Sequence, residues 1–182
     1  MTSHLALLRG INVGGKNTIA MKHLVELFQR LGCTDVRTYI QSGNIVFDCN
    51  EEVLVTLLNK VSEEISSAFG FKPFILLLAV EEIEKAIAQN PFPEAVNNPQ
   101  SLHVGFLSAV PTTPDLVRLA KLKTNSEQFQ LIGKVFYLFA PEGVGRSKLA
   151  AGAEKSIGVP LTDRNWKTVC KISAMAKGVL KT

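Results

Sequence analysis

The sequence predicts an α+β fold: two tandem ferredoxin-like (βαββαβ) halves with antiparallel sheets and a C-terminal helix. Three observations predict it. Hydrophobic periodicity runs strand, helix, strand, strand, helix, strand up to Val80. The same order starts again at Leu102, beyond a cluster of prolines and asparagines. Each half also joins its two middle strands at a glycine turn, Ser42-Gly43 in the first and Gly133-Lys134 in the second.

Leu5–Arg9 is a short apolar run and reads as a strand. Met21, Leu24, Val25, Phe28 and Leu31 fall at helical spacing, and Gly32 ends that helix. Val36–Gln41 and Asn44–Asp48 form the first hairpin. Val53, Leu54, Leu57, Leu58, Val61, Ile65 and Phe69 mark a long amphipathic helix stopped by Gly70. Phe74–Val80 is a continuous apolar strand, and Glu81–Gln89 is a short helix with Ile83 and Ile87 one turn apart. Asn90-Pro91-Phe92-Pro93 and Asn97-Asn98-Pro99 then break the chain. The expected organisation is a first half at 1–80, a helix and linker at 81–101, and a second half with its closing helix at 102–182.

In the second half Leu102–Ser108 is a strand, and Pro111–Pro114 opens a helix carrying Leu116, Leu119 and Ala120. Phe129–Ile132 and Val135–Phe139 form the second hairpin. Ser147–Ile157 is a helix and Leu161–Arg164 a short last strand. Trp166–Leu180 closes the chain, with Val169, Ile172, Met175, Ala176 and Val179 on one face. Gln41–Phe47 and Leu131–Tyr137 occupy equivalent places in this weak repeat.

The 182 residues are 46% apolar and carry a net charge of +4, which permits a nucleic acid or a phosphorylated partner without requiring one. Cys33, Cys49 and Cys170 are odd in number and widely spaced, as expected of thiols in a reducing cytosol. Neither they nor His4, His23 and His103 have zinc-ligand spacing, so no metal is expected, and no motif calls for a cofactor. The first residues lack the order of a signal peptide. Phe74–Val80, the longest apolar run, is too short to span a bilayer. The expectation is a cytoplasmic protein without membrane contact.

Two loops suggest anion binding. Leu5–Asn17 runs from a strand into Gly10, Gly14, Gly15 and Lys16; glycine lets successive N–H groups converge, and lysine adds charge. This nearly matches the phosphate-loop pattern G-x-x-x-x-G-K-[ST], but Asn17 replaces the magnesium-binding hydroxyl and helical periodicity starts only near Met21. Magnesium-dependent triphosphate hydrolysis is therefore not expected. The second loop runs from Pro141 through Gly143, Gly145 and Arg146 to Ser147 and Lys148, and Ser147 is placed to cap the following helix. Arg164 and Asn165 lie beside Trp166, the only tryptophan, which anchors the last helix while Asp163 caps it. The tip Gln41-Ser42-Gly43-Asn44 could add donors beside the first loop, although a turn also needs such residues. Phe136 and Phe139 point to opposite faces of their strand, and packing explains most of that aromatic run. No nucleophile, base and orienting group form a recognisable set.

Four motifs in order are Ala6–Lys16, Arg37–Asn44, the Gly143-x-Gly-x-Ser-Lys148 loop and Arg164-Asn165-Trp166. Together they resemble the bacterial family catalogued as domain of unknown function 1697, across essentially the whole chain. The resemblance implies a tandem α+β architecture and no particular activity. Loops and matched motif positions give the candidate ligand set: Arg9, Asn12, Gly14, Gly15, Lys16 and Asn44 in the first half; Gly143, Gly145, Arg146, Ser147, Lys148, Arg164 and Asn165 in the second.

The leading expectation is a phosphate-bearing or other anionic small ligand bound between the halves, with Lys16, Arg146, Lys148 and Arg164 neutralising it. The alternatives are a nucleic-acid-binding module and a protein-interaction scaffold without ligand. Charge geometry separates the first two: a ligand needs cations in one pocket, a nucleic acid needs them in a stripe beside exposed aromatics.

Overall fold

The computed structural model describes residues 2–178. Val179 and Leu180, which the periodicity assigns to the closing helix, lie outside them. The strands are β1 (Thr2–Arg9), β2 (Thr34–Tyr39), β3 (Asn44–Cys49), β4 (Phe74–Ala79), β5 (Leu102–Leu107), β6 (Gln128–Ile132), β7 (Val135–Phe139) and β8 (Leu161–Asn165). The helices are α1 (Met21–Arg30), α2 (Glu51–Phe69), α3 (Val80–Ala88), α4 (Leu116–Leu122), α5 (Lys148–Ile157) and α6 (Trp166–Ala176).

Two four-stranded sheets form, in the orders β2-β3-β1-β4 and β6-β7-β5-β8, and every pairing is antiparallel. These are two ferredoxin-like βαββαβ units, as the periodicity predicts. The chain divides into two compact units, one up to Lys85 together with the stretch from Lys171, the other Ala86–Cys170.

Local chemistry explains the boundaries. β1 starts three residues before the apolar run because Thr2, Ser3 and His4 pair with Cys49, Asp48 and Phe47. Ser3 Oγ also donates to Asp48 Oδ1 at 2.5 Å. β2 stops at Tyr39 rather than Gln41, since Ile40 turns to φ +50, a left-handed conformation that is costly for a β-branched residue. Pro111–Pro114 does not open α4. Its first helical residue is Leu116, and Asp115 Oδ1 accepts from Arg118 N at 2.8 Å as the cap. A proline pushes the residue before it out of the helical region, which delays the start. Asp163 does not cap α6 either; Asn165 Oδ1 accepts from Thr168 N at 2.9 Å and Asp163 stays in β8.

In the first unit, Ala6, Leu8, Ile45 and Phe47 pack with Leu24, Leu27 and Phe28 of α1 and Leu57, Val61 and Ile65 of α2. In the second, Leu107, Phe136 and Leu138 pack with Leu119 of α4 and Leu149, Ala153 and Ile157 of α5. Each such large side chain contributes roughly 1.5–3 kcal/mol by leaving water. The central strands are buried on both faces: Leu5, Ala6, Leu7 and Leu8 in β1, and Leu102, Val104, Phe106 and Leu107 in β5. Tyr137 faces away from the α5 side, and its hydroxyl donates to Ala86 O at 2.7 Å. Its burial pushes that hydroxyl up to about 12. Phe92 stacks on Phe139 at 6.0 Å. The aromatic strand is therefore core, with Phe136 and Tyr137 both buried.

Gly43 has φ +75, and a Cβ there would come within 2.7 Å of Leu8 Cβ and 2.9 Å of Ile11 Cδ1. Gly14, at φ +58, has open space around it. Both alanine variants pay the left-handed penalty of about 1–2 kcal/mol, and Gly43→Ala adds about 1–3 kcal/mol of overpacking. Denaturant unfolding should show Gly43→Ala as clearly the more damaging; equal losses would contradict the packing described.

Candidate functional site

The second unit holds a cavity of about 430 Å³ lined by Thr124, Ser126, Glu127, Ala140, Glu142, Gly143, Gly145, Arg146 and Ser147. It lies at the end of the sheet where β7 stops, with Phe139 opposite both Leu102 and Gln128. Ala140 N donates to Ser101 O at 2.7 Å, fixing where the chain leaves the sheet.

One wall is the β7–α5 loop. Gly143, at φ +84, lets its N–H return to Ala140 O at 2.9 Å. Ser147 N donates to Val144 O at 3.1 Å, and buried Ser147 Oγ accepts from Ala150 N at 2.9 Å. That is the expected N-cap. The Lys148 and Leu149 amides have no acceptor within the helix, and the helix dipole makes this end attractive to anions. Arg146 adds an exposed guanidinium on the cavity wall. Lys148 is exposed on the first turn of α5, outside the lining.

The other wall is the turn after α4. Thr124 N donates to Glu127 Oε2 at 2.8 Å, and Glu127 N returns to Thr124 O at 3.3 Å. Ser126 Oγ donates to Glu142 Oε1 at 3.0 Å, tying this turn to the loop opposite, and lies 3.1 Å from Thr124 Oγ1. The Glu127 carboxylate and two hydroxyls thus line one wall, and the β7–α5 loop opposite carries the Glu142 carboxylate together with the Arg146 guanidinium and the helix N-terminus. Sequence reading missed this acceptor wall: a Thr-x-Ser-Glu turn has no periodicity, and Glu127 shows its role only once its carboxylate is folded back on Thr124.

Arg164 and Asn165 lie on β8. Asn165 is committed to capping α6. Burial pulls the Arg164 guanidinium down to about 10 against the opposing pull of Asp163, and Arg164 Nη1 donates to Asp163 O at 2.8 Å. Across the sheet, His103 Nδ1 meets Asp163 Oδ2 at 2.7 Å. Burial lowers the His103 pKa, but the Asp163 hydrogen bond and charge and a backbone hydrogen bond to Gln100 together raise it above the ordinary 6.5. A smaller, mostly apolar cleft of about 170 Å³ lies between Phe136, Leu138, Val144, Ala150, Ala153, Leu161 and Asp163.

The first unit gathers Arg9, Asn12, Gly14, Gly15, Lys16 and Asn44 at the end of β1. Gly14 and Gly15, at φ +58 and +72, form a two-residue turn closed by Lys16 N donating to Val13 O at 3.0 Å. Asn12 N donates to Asn17 O at 3.2 Å, so two of the loop amides are consumed internally. The Asn12 side chain is a brace: Nδ2 donates to Ile19 O and Gln41 O at 2.9 and 2.8 Å, and Oδ1 accepts from Ile19 N at 2.8 Å. Asn17 Nδ2 donates to Gly10 O at 2.9 Å. Asn44 is buried, with Nδ2 bonded to Tyr39 O and Ser42 Oγ. Arg9 lies over the Phe74 ring at 5.1 Å, and Lys16 is exposed near the tip. This is a braced hairpin knuckle. α1 starts at Met21, five residues past Lys16, and the sheet is antiparallel, so the phosphate-loop arrangement of parallel strand, loop and helix is not formed.

The two glycine loops occupy different steps of the repeat. The first links the first strand of its unit to α1; the second links the third strand of its unit to α5. Because first and third strands run antiparallel, the loops mark opposite ends of their respective sheets.

Among the described residues no group of three or more His, Cys, Asp or Glu could hold a metal ion. Cys33 is buried, and burial beside Cys49 pushes its thiol up to about 12. No helix among the described residues is long and apolar enough to cross a membrane.

Fold and loops define a tandem ferredoxin-like α+β protein with a polar cavity at one sheet end. The model of the family described as "Protein of unknown function (DUF1697)" matches residues 1–137, and the chain belongs to that family. The match ends before the Gly143–Lys148 loop. Among solved structures, the chain is similar to a conserved bacterial protein from Streptococcus pneumoniae: 25% identity, TM-score 0.66, covering 96% of this chain and 98% of that one. No curated protein matches.

Two outcomes follow from this geometry. Since the fold raises the His103 pKa, protonation there stabilises the native state fully below about pH 6.5, and that contribution is lost as pH rises through the folded value. The stability gap between the wild type and Asp163→Asn should therefore shrink as pH rises above about 6.5 in urea titrations; a gap that widens with pH would contradict the pairing. Magnesium with ATP or GTP should give no phosphate release. Release that disappears in Lys16→Ala would overturn that expectation.

Proposed function

We propose that the chain binds a small ligand bearing phosphate or another anionic group, seated in the cavity of the second unit. The observation that carries this reading is the coincidence of a 430 Å³ cavity with Gly143, Gly145, Arg146 and the Ser147-capped start of α5 on one wall. That volume falls within the range of small-molecule sites, and helix N-termini with an adjacent Arg attract anions. Lys148 adds charge on the same helical turn, and Lys16 offers the first loop a separate anion contact.

A nucleic-acid role receives less support. It needs exposed aromatics on an open sheet, whereas Phe136 and Tyr137 are buried.

Titration calorimetry with ethyl phosphate tests the reading. Removing one charged donor to an anion costs about 1.5–3 kcal/mol, so Arg146→Ala should weaken binding about ten-fold or more. Its unfolding midpoint should stay close to wild type, because exposed cations contribute little stability. No binding, or binding that survives Arg146→Ala unchanged, would refute the site.

A further inference from the structure

We propose that this cavity selects a zwitterion: a small molecule with an anionic group such as phosphate at one end and an ammonium group at the other. The inference rests on the anion site proposed above and concerns the wall opposite it. Glu127 is only 5% exposed, yet it lines the cavity. A carboxylate taken out of water needs a counter-charge or a full set of donors. Glu127 has one donor, the Thr124 amide at 2.8 Å on Oε2. The neighbouring cation does not neutralise it: Lys123 Nζ reaches the Glu127 backbone carbonyl, at 3.5 Å. Among the described residues no Lys, Arg or His pairs with its carboxylate, and Oε1 takes no hydrogen bond from the protein while keeping access to solvent.

Glu142, on the β7–α5 loop itself, supplies a second carboxylate where that loop meets the turn, with Oε1 held by Ser126 Oγ. Thr124 and Ser126 add hydroxyl acceptors. An ammonium group has three donors and one positive charge, which this wall can accept and balance. A polyanion would place negative charge against two carboxylates, and a neutral polyol would leave Glu127 without a counter-charge. The distribution of charge, positive at Arg146 and the α5 N-terminus and negative at Glu127 and Glu142, therefore fits a molecule of opposite polarity.

Calorimetry in EDTA with O-phosphoethanolamine and ethyl phosphate tests this, since the two probes differ chiefly in the ammonium group. The wild type should bind O-phosphoethanolamine about ten-fold or more tighter than ethyl phosphate. Glu127→Gln keeps an oxygen for the Thr124 amide but removes the charge; it should bring the two affinities within about two-fold of each other without weakening ethyl phosphate. If that variant fails to fold, Glu142→Gln, at an exposed position, should reduce the preference instead. Equal binding of both probes to the wild type, or tighter binding of ethyl phosphate, overturns the zwitterion proposal while leaving an Arg146-dependent anion site standing. Binding of neither probe overturns both.

Discussion

Burial of the central strands on both faces governs where this protein can do chemistry. Leu5 to Leu8 in β1 and Leu102, Val104, Phe106 and Leu107 in β5 leave almost no accessible surface at the middle of either sheet. A half-buried antiparallel sheet would alternate apolar and polar residues and offer one face to a ligand. Here β1 and β4 read as near-continuous apolar runs, and that pattern commits both faces to packing. Polar groups are left with the sheet ends, where strands turn into helices.

The two units use their sheet ends differently although their topology is the same. In the first, the long connection follows β1, and Asn12 spends its whole carboxamide joining that connection to Ile19 and Gln41. The step after β3 is a single residue, Asn50, which caps α2 through its bond from Val53 N. In the second unit the step after β7 is long, and it folds Gly143 to Ser147 over the end of the sheet to make a cavity wall. Shared strand order thus leaves the crossovers free to diverge: one becomes a closed hairpin, the other an open recess with unspent amides at a helix start.

The fold was legible in the sequence because its cues are local. Gly43 and Gly133 mark the hairpins, Gly70 and Gly158 end helices in the left-handed conformation, and the apolar spacing of α2 and α5 suits one buried face each. The Ser147 cap was legible for the same reason. Features that depend on distant partners were not. Asp163 looks like a helix cap three residues before Trp166, but β8 extends through Asn165 and turns Asp163 toward His103. The glycines of the first loop resemble a cradle, yet only the folded chain reveals that Lys16 N and Asn12 N are already spent. Glu127 and Glu142 are unremarkable charges along the chain. They come to line one cavity because the turn after α4 and the loop after β7 meet at the same end of the sheet.

The central claim, an anion seated at the start of α5, is tested most directly by amide chemical-shift mapping of the full chain during titration with ethyl phosphate. The account predicts that the largest shifts fall on Gly143, Gly145, Arg146, Ser147, Lys148 and Leu149, with saturation at one ligand. Shifts concentrated elsewhere in the chain, or scattered over surface lysines without saturation, would contradict it.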